Sequence, residues 1–309
     1  MQNHSLISAV LSSGLILFAL SGSAVDVPEI EPTKSDVAEI RRLAEGGDTE
    51  KENVLGSLYN LGDGVPKDKA EALKWWRKAA ESGNAIAACH LGEAYISSDG
   101  VIHNQQEGMK WLRQSAESGF KRAEWILGTH YANGDGVEKN ATEAAIWWRK
   151  AANQGLVGAE GDLGAAYAGG LGVERNYPRA LELLQESAQD GYAPAQYTLG
   201  SMYSNGLGLS ENQSMAVEWW QKAANQGDAN AANSLAGAYL EGHGATKDVV
   251  LAYVWYDIAS WKINSAGEHR DTLTNTMTKV ELDKARYLAH QRKLGIYTTL
   301  KKKLDALDP

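Results

Sequence analysis

Cysteine, phenylalanine and proline are scarce in this chain of 309 residues, which contains one, two and six of them respectively. The single cysteine, Cys89, excludes an intramolecular disulfide framework and a zinc site built from cysteine thiolates. Few prolines beside 32 glycines indicate helices that end at glycine, not a proline-rich disordered chain. Basic residues are also in deficit, and the net charge is −9. This balance argues against a nucleic-acid-binding surface and against a polybasic membrane-surface protein.

Charged residues are missing from the first 24 positions, which contain no Asp, Glu, Lys or Arg. An apolar run at 6–20 is followed by small residues that end at Ala24, and this pattern predicts a secretory signal peptide at 1–24, cut near Ala24. The alternative is an uncleaved anchor, although the run is short against the roughly 20 residues that span a bilayer. We therefore expect an exported protein, periplasmic or secreted, with no membrane insertion after cleavage.

A repeat of 36 residues fills the middle of the chain. Each copy has a tyrosine followed by a glycine-rich turn, with leucine four residues before the tyrosine and, in five of six copies, alanine four residues earlier. The tyrosines are Tyr59, Tyr95, Tyr131, Tyr167, Tyr203 and Tyr239. Residues at i, i+4 and i+8 lie on one face of a helix, so the pattern predicts a first helix, helix A, in every copy.

A second helix, helix B, is predicted after each turn. Every copy places Asp or Asn where a side-chain oxygen can cap a helix, at Asp68, Asn104, Asn140, Asn176, Asn212 and Asp248. Two adjacent apolar columns follow, as in Trp75 and Trp76. Adjacent helix positions are about 100° apart, so these columns predict a wide buried face. Leu183 and Leu184 replace tryptophan in the fourth copy, which packing tolerates and base or sugar stacking would not.

The ends of the array depart from the repeat, as terminal repeats do. An unpaired helix of the B type is predicted at about 35–46, and the period stops after Trp255. Thr278 and Glu281 then stand at the spacing of a capping box, which predicts a closing helix before a charged, frayed tail. The predicted organisation is a linker and capping half-repeat at 25–47, six repeats at 48–263, and a C-terminal capping helix with its tail at 264–309.

The unit "A…LG..Y..G.GV..N…A..WWRKAA.QG" resembles the Sel-1-like repeat, a relative of the tetratricopeptide repeat. The departures are local and include Ser98 in the first loop and Ala236 after the helix A leucine. The resemblance implies an all-α fold, an α/α solenoid with a right-handed superhelix of six helix-turn-helix repeats and a capping helix at each end. It also implies an adaptor for other proteins.

Variable positions on the outer side of helix A are the candidate binding surface, because helix A lines the concave side of such solenoids. Trp125 is the outlier among ten tryptophans, and it is either an interface anchor or buried against a neighbouring helix A by superhelical curvature. Cys89 shares its column, and we expect a half-buried small apolar residue there in preference to a reactive thiol. The full set of partner-binding candidates is Trp125, Tyr197, Arg122, Glu93, Cys89 and Asn233.

The first functional hypothesis is a non-enzymatic exported scaffold that binds a protein or peptide partner of the cell envelope. The second is an envelope-polymer binder that recognises peptidoglycan or exopolysaccharide through Trp125 and Tyr197. The third is a cell-wall-directed hydrolase, but the sequence contains no G-x-S-x-G, H-E-x-x-H or glycine-rich phosphate loop. The histidines show no metal-ligand spacing. We therefore predict no catalytic residue, no cofactor and no metal.

Overall fold

The structure, a computed structural model, describes the backbone of residues 34–97 and 103–307 and the side chains of 36–97 and 103–295. The predicted signal peptide at 1–24 lies outside the described residues. Within them the chain is all-α. Its helices are α1 (Lys34–Glu45), α2 (Thr49–Leu61), α3 (Lys69–Glu81), α4 (Ala85–Ser97), α5 (Gln105–Glu117), α6 (Lys121–Asn133), α7 (Ala141–Ala152), α8 (Val157–Gly169), α9 (Tyr177–Gln189), α10 (Ala193–Asn205), α11 (Gln213–Asn225), α12 (Ala229–Glu241), α13 (Val249–Ala259), α14 (Asn264–Thr274) and α15 (Lys279–Leu307).

Helices A and B of the repeat are both present. From α2 to α13 the even-numbered helices are helix A and the odd-numbered ones are helix B, and each helix A packs against the helix B that follows it. The described residues form two compact units, 34–156 with α1–α7 and 157–307 with α8–α15. None of the helices in the described ranges is both long and apolar enough to cross a membrane.

Unit 1 is built around the helix B tryptophans. Trp76, Trp111 and Trp147 are buried, and Val37 and Ile40 of α1 close the first end of the core. Glycine follows the helix A leucine because helix B approaches the backbone there, with a tryptophan ring at Gly56 and Gly128 and with Leu112 at Gly92. A Cβ atom on Gly128 would lie 2.7 Å from Cδ1 of Trp148, closer than packed atoms allow. The predicted assignment to the core is confirmed for Trp76, Trp111 and Trp147, whereas Trp75 and Trp148 are half-buried.

Unit 2 repeats this plan and adds a larger end. Leu184 and Trp220 are buried, as the predicted columns require. Helix α13 is buried along most of its length, including Trp255, since α12, α14 and α15 all pack against it. Helix α14 was not predicted, because only Ala266 and Leu273 of its side chains are buried and they leave almost no helical periodicity in the sequence.

The helix ends follow the predicted chemistry. All six capping residues accept hydrogen bonds from backbone N–H groups at the start of helix B. In the five copies whose helix A end the structure describes, the helix is followed by a glycine in the left-handed conformation, as at Gly62 with φ 83°. The capping box of α15 is also present, since the Thr278 backbone N–H donates to Glu281 Oε2 at 2.8 Å. This helix continues to Leu307, past the start of the tail that was predicted to fray.

The cap at Asn140 allows a direct test of the repeat boundary. Its Oδ1 accepts from the backbone N–H groups of Thr142 and Glu143, both at 3.1 Å. We expect Asn140→Ala to lower the free energy of unfolding by about 1 kcal/mol, because it leaves these donors without their side-chain acceptor. Urea unfolding measures the change. Asn140→Asp keeps the acceptor and is the control, so an equal loss in both variants would contradict the assignment.

Candidate functional site

Three of the predicted partner-binding residues lie together on the helix A surface of unit 1. Arg122 Nη2 of α6 donates to Glu93 Oε1 of α4 at 2.9 Å, which joins the third repeat to the second. Trp125 follows Arg122 by three residues, so both project from the same face of α6. Its indole is half-buried. The two alternatives considered for Trp125 therefore both stay predictions. We call Glu93, Arg122 and Trp125 the helix A patch.

Cys89 does not belong to the accessible surface. It is fully buried, where a half-buried position was expected, because α4 packs this face into the core of unit 1. Its Sγ lies 3.7 Å from Glu93 Oε2. Burial, and then the negative charge of Glu93, raise the pKa of the Cys89 thiol well above its usual value. A protonated, buried thiol is unreactive. This corrects the expectation for Cys89: its side chain is fully buried and leaves no accessible surface for a partner in this structure.

The patch carries an internal ion pair and little net charge. Burial lowers the pKa of Arg122, but the attraction of Glu93 and their hydrogen bond outweigh it and leave the pKa raised. Arg122 therefore stays charged, and Glu93 balances it. The pair is partly buried, since the Arg122 side chain is 39% exposed and the Glu93 side chain is 32% exposed. The pair fixes the position of two polar groups beside an aromatic ring.

Beneath the patch lies a histidine that the sequence did not single out. His90 Nδ1 is 3.2 Å from Asn53 Oδ1 of α2, and its ring centroid is 5.1 Å from that of Trp76. Burial lowers the pKa of His90 from 6.5 to about 4. The contact with a carbonyl oxygen fits a neutral imidazole that donates from Nδ1.

This shift predicts a pH dependence of stability. The pKa in the folded state is below the unfolded value, so the contribution of neutral His90 is complete above pH 6.5 and is lost as the pH falls from 6.5 toward 4. Chemical unfolding across this window should show a steeper loss for the wild type than for His90→Gln, which does not take up a proton. Parallel pH profiles for the two proteins would exclude His90 as the cause.

Unit 2 carries the other two candidates on its own helix A surface. Tyr197 is half-buried and packs against the core that includes α12. Asn233 is half-buried, and its Oδ1 is buried with no hydrogen-bond partner among the described residues. Tyr197 lies on α10 and Asn233 lies on α12. They remain predictions, and the patch in unit 1 is the better-defined surface.

Tyr192 of unit 2 lies against Gly161, at the position that corresponds to Trp125 in unit 1. Gly161 stands in the column of Trp125, and a Cβ atom there would lie 2.5 Å from Cδ1 of Tyr192. The Tyr192 hydroxyl donates to Asp162 Oδ1 at 3.0 Å. Burial and the charge of Asp162 raise the pKa of this phenol. The Tyr192 ring therefore covers the position that holds an indole in unit 1.

The basic residues of helix B have a structural role in unit 1. Arg41 Nη2 donates to the hydroxyl of Tyr59 at 2.8 Å, and Arg113 Nη2 donates to that of Tyr131 at 2.7 Å. Arg77 makes the equivalent bond to Tyr95. Each pair spans 18 residues and links helix B to the next helix A. In the sequence, each of these arginines precedes its tyrosine by 18 residues, and this constant spacing is the pattern that indicates the contacts.

The paired helices and their regular spacing define an all-α repeat solenoid. The family model described as Sel1 repeat matches six segments, residues 52–84, 85–120, 121–156, 159–192, 193–228 and 229–260. The chain belongs to the Sel1 repeat family. These matches begin and end within the predicted repeat region at 48–263.

Two solved structures support this assignment. A protective antigen of uropathogenic Escherichia coli strains that displays an SLR fold is 30% identical over 87% of this chain, with a TM-score of 0.77. This chain covers 59% of that antigen, about three fifths of its length. A Sel1 repeat protein from Oxalobacter formigenes is 31% identical over 73% of this chain and 90% of its own, with a TM-score of 0.66. A search of curated proteins gave no match. Sel1 repeat scaffolds are generally protein-interaction modules and are typically not catalytic.

Proposed function

We propose that this protein is a non-enzymatic, exported scaffold that binds a protein or peptide partner at the helix A patch. The observation that carries the proposal is the position of Trp125. It departs from the repeated tryptophan columns, which are used for packing, and it lies beside an ion pair that joins two repeats. Aromatic and arginine side chains held by a rigid scaffold are the residue types that most often anchor protein interfaces.

The patch favours a partner segment with an apolar side chain and accessible backbone groups. The half-buried indole offers a flat surface for an apolar or aromatic side chain. Glu93 and Arg122 hold each other at 2.9 Å, so they lie at fixed positions from which a carboxylate oxygen can accept and a guanidinium can donate to peptide groups. Their opposite charges disfavour a strongly charged partner.

Affinity capture tests this proposal. The wild-type protein and Trp125→Ala are used as baits in an extract of the cell envelope. We expect the wild type to recover one partner at a stoichiometric level, and the variant to lose it by roughly 30-fold, the effect of an interface anchor worth about 2 kcal/mol. Trp261→Ala is the control, because Trp261 is 66% exposed and lies on unit 2.

If the wild type and Trp125→Ala capture the partner equally, the helix A patch is not the binding surface. If neither protein recovers a partner and both sediment with purified cell-wall material, the envelope-polymer alternative replaces the proposal.

Export is part of the proposal and rests on residues 1–24 of the sequence. Mass spectrometry of the protein recovered from expressing bacteria should find an N-terminus just after Ala24 in the fraction outside the cytoplasm. A protein that keeps residues 1–24 and stays in the cytoplasm would contradict export.

A further inference from the structure

Helices α10 and α12 of unit 2 carry almost no charge. Charged residues make up 22% of the chain, but the 13 residues of α10 include none and the 13 residues of α12 include only Glu241, at the last position. In unit 1, α6 alone contains three charged residues. The absence extends to accessible positions, since Pro194 and Asn230 stand in the column of Arg122 and both are exposed.

The accessible side of α10 and α12 instead holds hydroxyl and amide groups beside one aromatic ring. These residues recur at helical spacing, so on each helix they lie on one face. All of them are half-buried or exposed. We call this surface the unit 2 polar face, and its members are Tyr197, Thr198, Asn205, Asn230 and Asn233.

The groups that α10 contributes present mainly acceptors. Thr198 Oγ1 donates its hydrogen to the Pro194 carbonyl oxygen at 2.9 Å. Asn205 Nδ2 donates to the Ser201 carbonyl oxygen at 2.8 Å. A hydroxyl that donates in this way keeps its lone pairs, and the carbonyl oxygen of an amide keeps both of its own. Oγ1 of Thr198 and Oδ1 of Asn205 therefore remain as acceptors.

Asn233 of α12 supplies an acceptor that lacks a donor. Its Oδ1 is buried and has no hydrogen-bond partner among the described residues. A buried polar atom without a partner costs free energy, and native proteins contain few of them. The side chain as a whole is half-buried, and the terminal torsion of asparagine is broad, so a turn of the amide presents this oxygen at the surface. A ligand that donates a hydrogen bond there satisfies it.

A neutral ligand rich in hydroxyl groups complements this face. Every sugar hydroxyl can donate to an acceptor, whereas a peptide backbone brings one carbonyl oxygen for each N–H group and so sets acceptors against acceptors. Lysine or arginine side chains would lose hydration against helices that hold a single carboxylate, Glu241. The ring of Tyr197 adds an apolar surface with a polar edge, against which the C–H groups of a sugar ring can pack.

We infer that the unit 2 polar face binds a neutral oligosaccharide, through hydrogen bonds to Thr198, Asn205 and Asn233 and contact with Tyr197. This site adds to the proposed partner binding, which uses the helix A patch of unit 1. The two sites use different residues, so either can fail in experiment while the other holds.

A glycan array followed by isothermal titration tests the inference. The array carries neutral oligosaccharides of hexoses and N-acetylhexosamines and, for comparison, oligosaccharides of uronic acids. We expect the wild-type protein to bind neutral members and not the uronic acids. Thr198→Val combined with Asn233→Ala should weaken binding of the retained oligosaccharide by at least about tenfold, because it removes two acceptors. Thr272→Val is the matched control, because Thr272 of α14 donates to the Glu268 carbonyl oxygen in the same way and lies outside the face.

Stability gives a second readout. Asn233→Ala should not lower the free energy of unfolding, because Oδ1 of Asn233 has no partner among the described residues and alanine favours a helix. The inference is overturned if no neutral oligosaccharide binds, if the double variant binds as well as the wild type, or if Asn233→Ala is destabilised. It is also overturned if Trp125→Ala abolishes oligosaccharide binding, since the helix A patch is then the sugar site. Loss of the captured protein partner by Asn233→Ala would overturn it too, since a protein then covers this face.

Discussion

Trp147→Ala lowers the free energy of unfolding by about 3–5 kcal/mol in our account, the usual cost of deleting a large buried aromatic side chain. Trp147 is buried on α7 within the core that includes Leu112 and Leu127. The Nζ of Lys150 also lies 3.7 Å from the centroid of its ring, and this contact would be lost as well. Urea unfolding followed by circular dichroism measures the change.

The control for this substitution is Trp261→Ala, which removes an indole that is 66% exposed. It should change the stability by less than about 0.5 kcal/mol. If Trp147→Ala keeps full stability and instead loses a ligand, the repeated tryptophan columns are binding groups, and the account of the core is wrong.

Asp257→Ala should destabilise unit 2 by about 2–3 kcal/mol, the second largest effect we expect. The Asp257 carboxylate is 15% exposed and accepts from Arg270 Nη1 of α14 at 2.9 Å. Its other oxygen lies 2.8 Å from Lys293 Nζ of α15. One carboxylate therefore ties both terminal helices to α13, and its removal leaves two cations without this partner. Thermal unfolding of the variant should show the loss.

The matched control is Asp271→Ala. Asp271 also pairs with Arg270, at 2.6 Å, but its side chain is 67% exposed. Ion pairs at such positions contribute little, so the change should stay below about 1 kcal/mol. Equal effects of the two substitutions would show that Asp257 does not hold the terminal helices.

The repeat architecture could be predicted because each local rule recurs at a fixed interval. The spacing of Ala, Leu and Tyr marked helix A, and the Asp or Asn column marked the start of helix B. Asn140 illustrates this, since its side chain caps α7 as the sequence indicates. A residue type that returns every 36 positions meets the same neighbours in each copy, so its recurrence indicates a packing position and is not a coincidence.

The remaining features depend on contacts between residues that have no repeated signal. Cys89 was expected to be half-buried, but the packing of α4 buries it completely. The low pKa of His90 arises from its burial among side chains of several helices, which no local pattern encodes. Asp257 stands where the first three repeats have arginine, and its partner Arg270 lies on α14, a helix that the sequence does not predict. These sites lie where one copy departs from the others.

We assign the repeated positions to packing and the variable positions to binding. Equilibrium unfolding of Trp125→Ala beside Trp147→Ala tests this division most directly. We predict a loss of about 3–5 kcal/mol for Trp147→Ala and about 1 kcal/mol or less for Trp125→Ala, which is half-buried on the surface of α6. A loss for Trp125→Ala as large as that for Trp147→Ala would place Trp125 in the core and contradict the helix A patch.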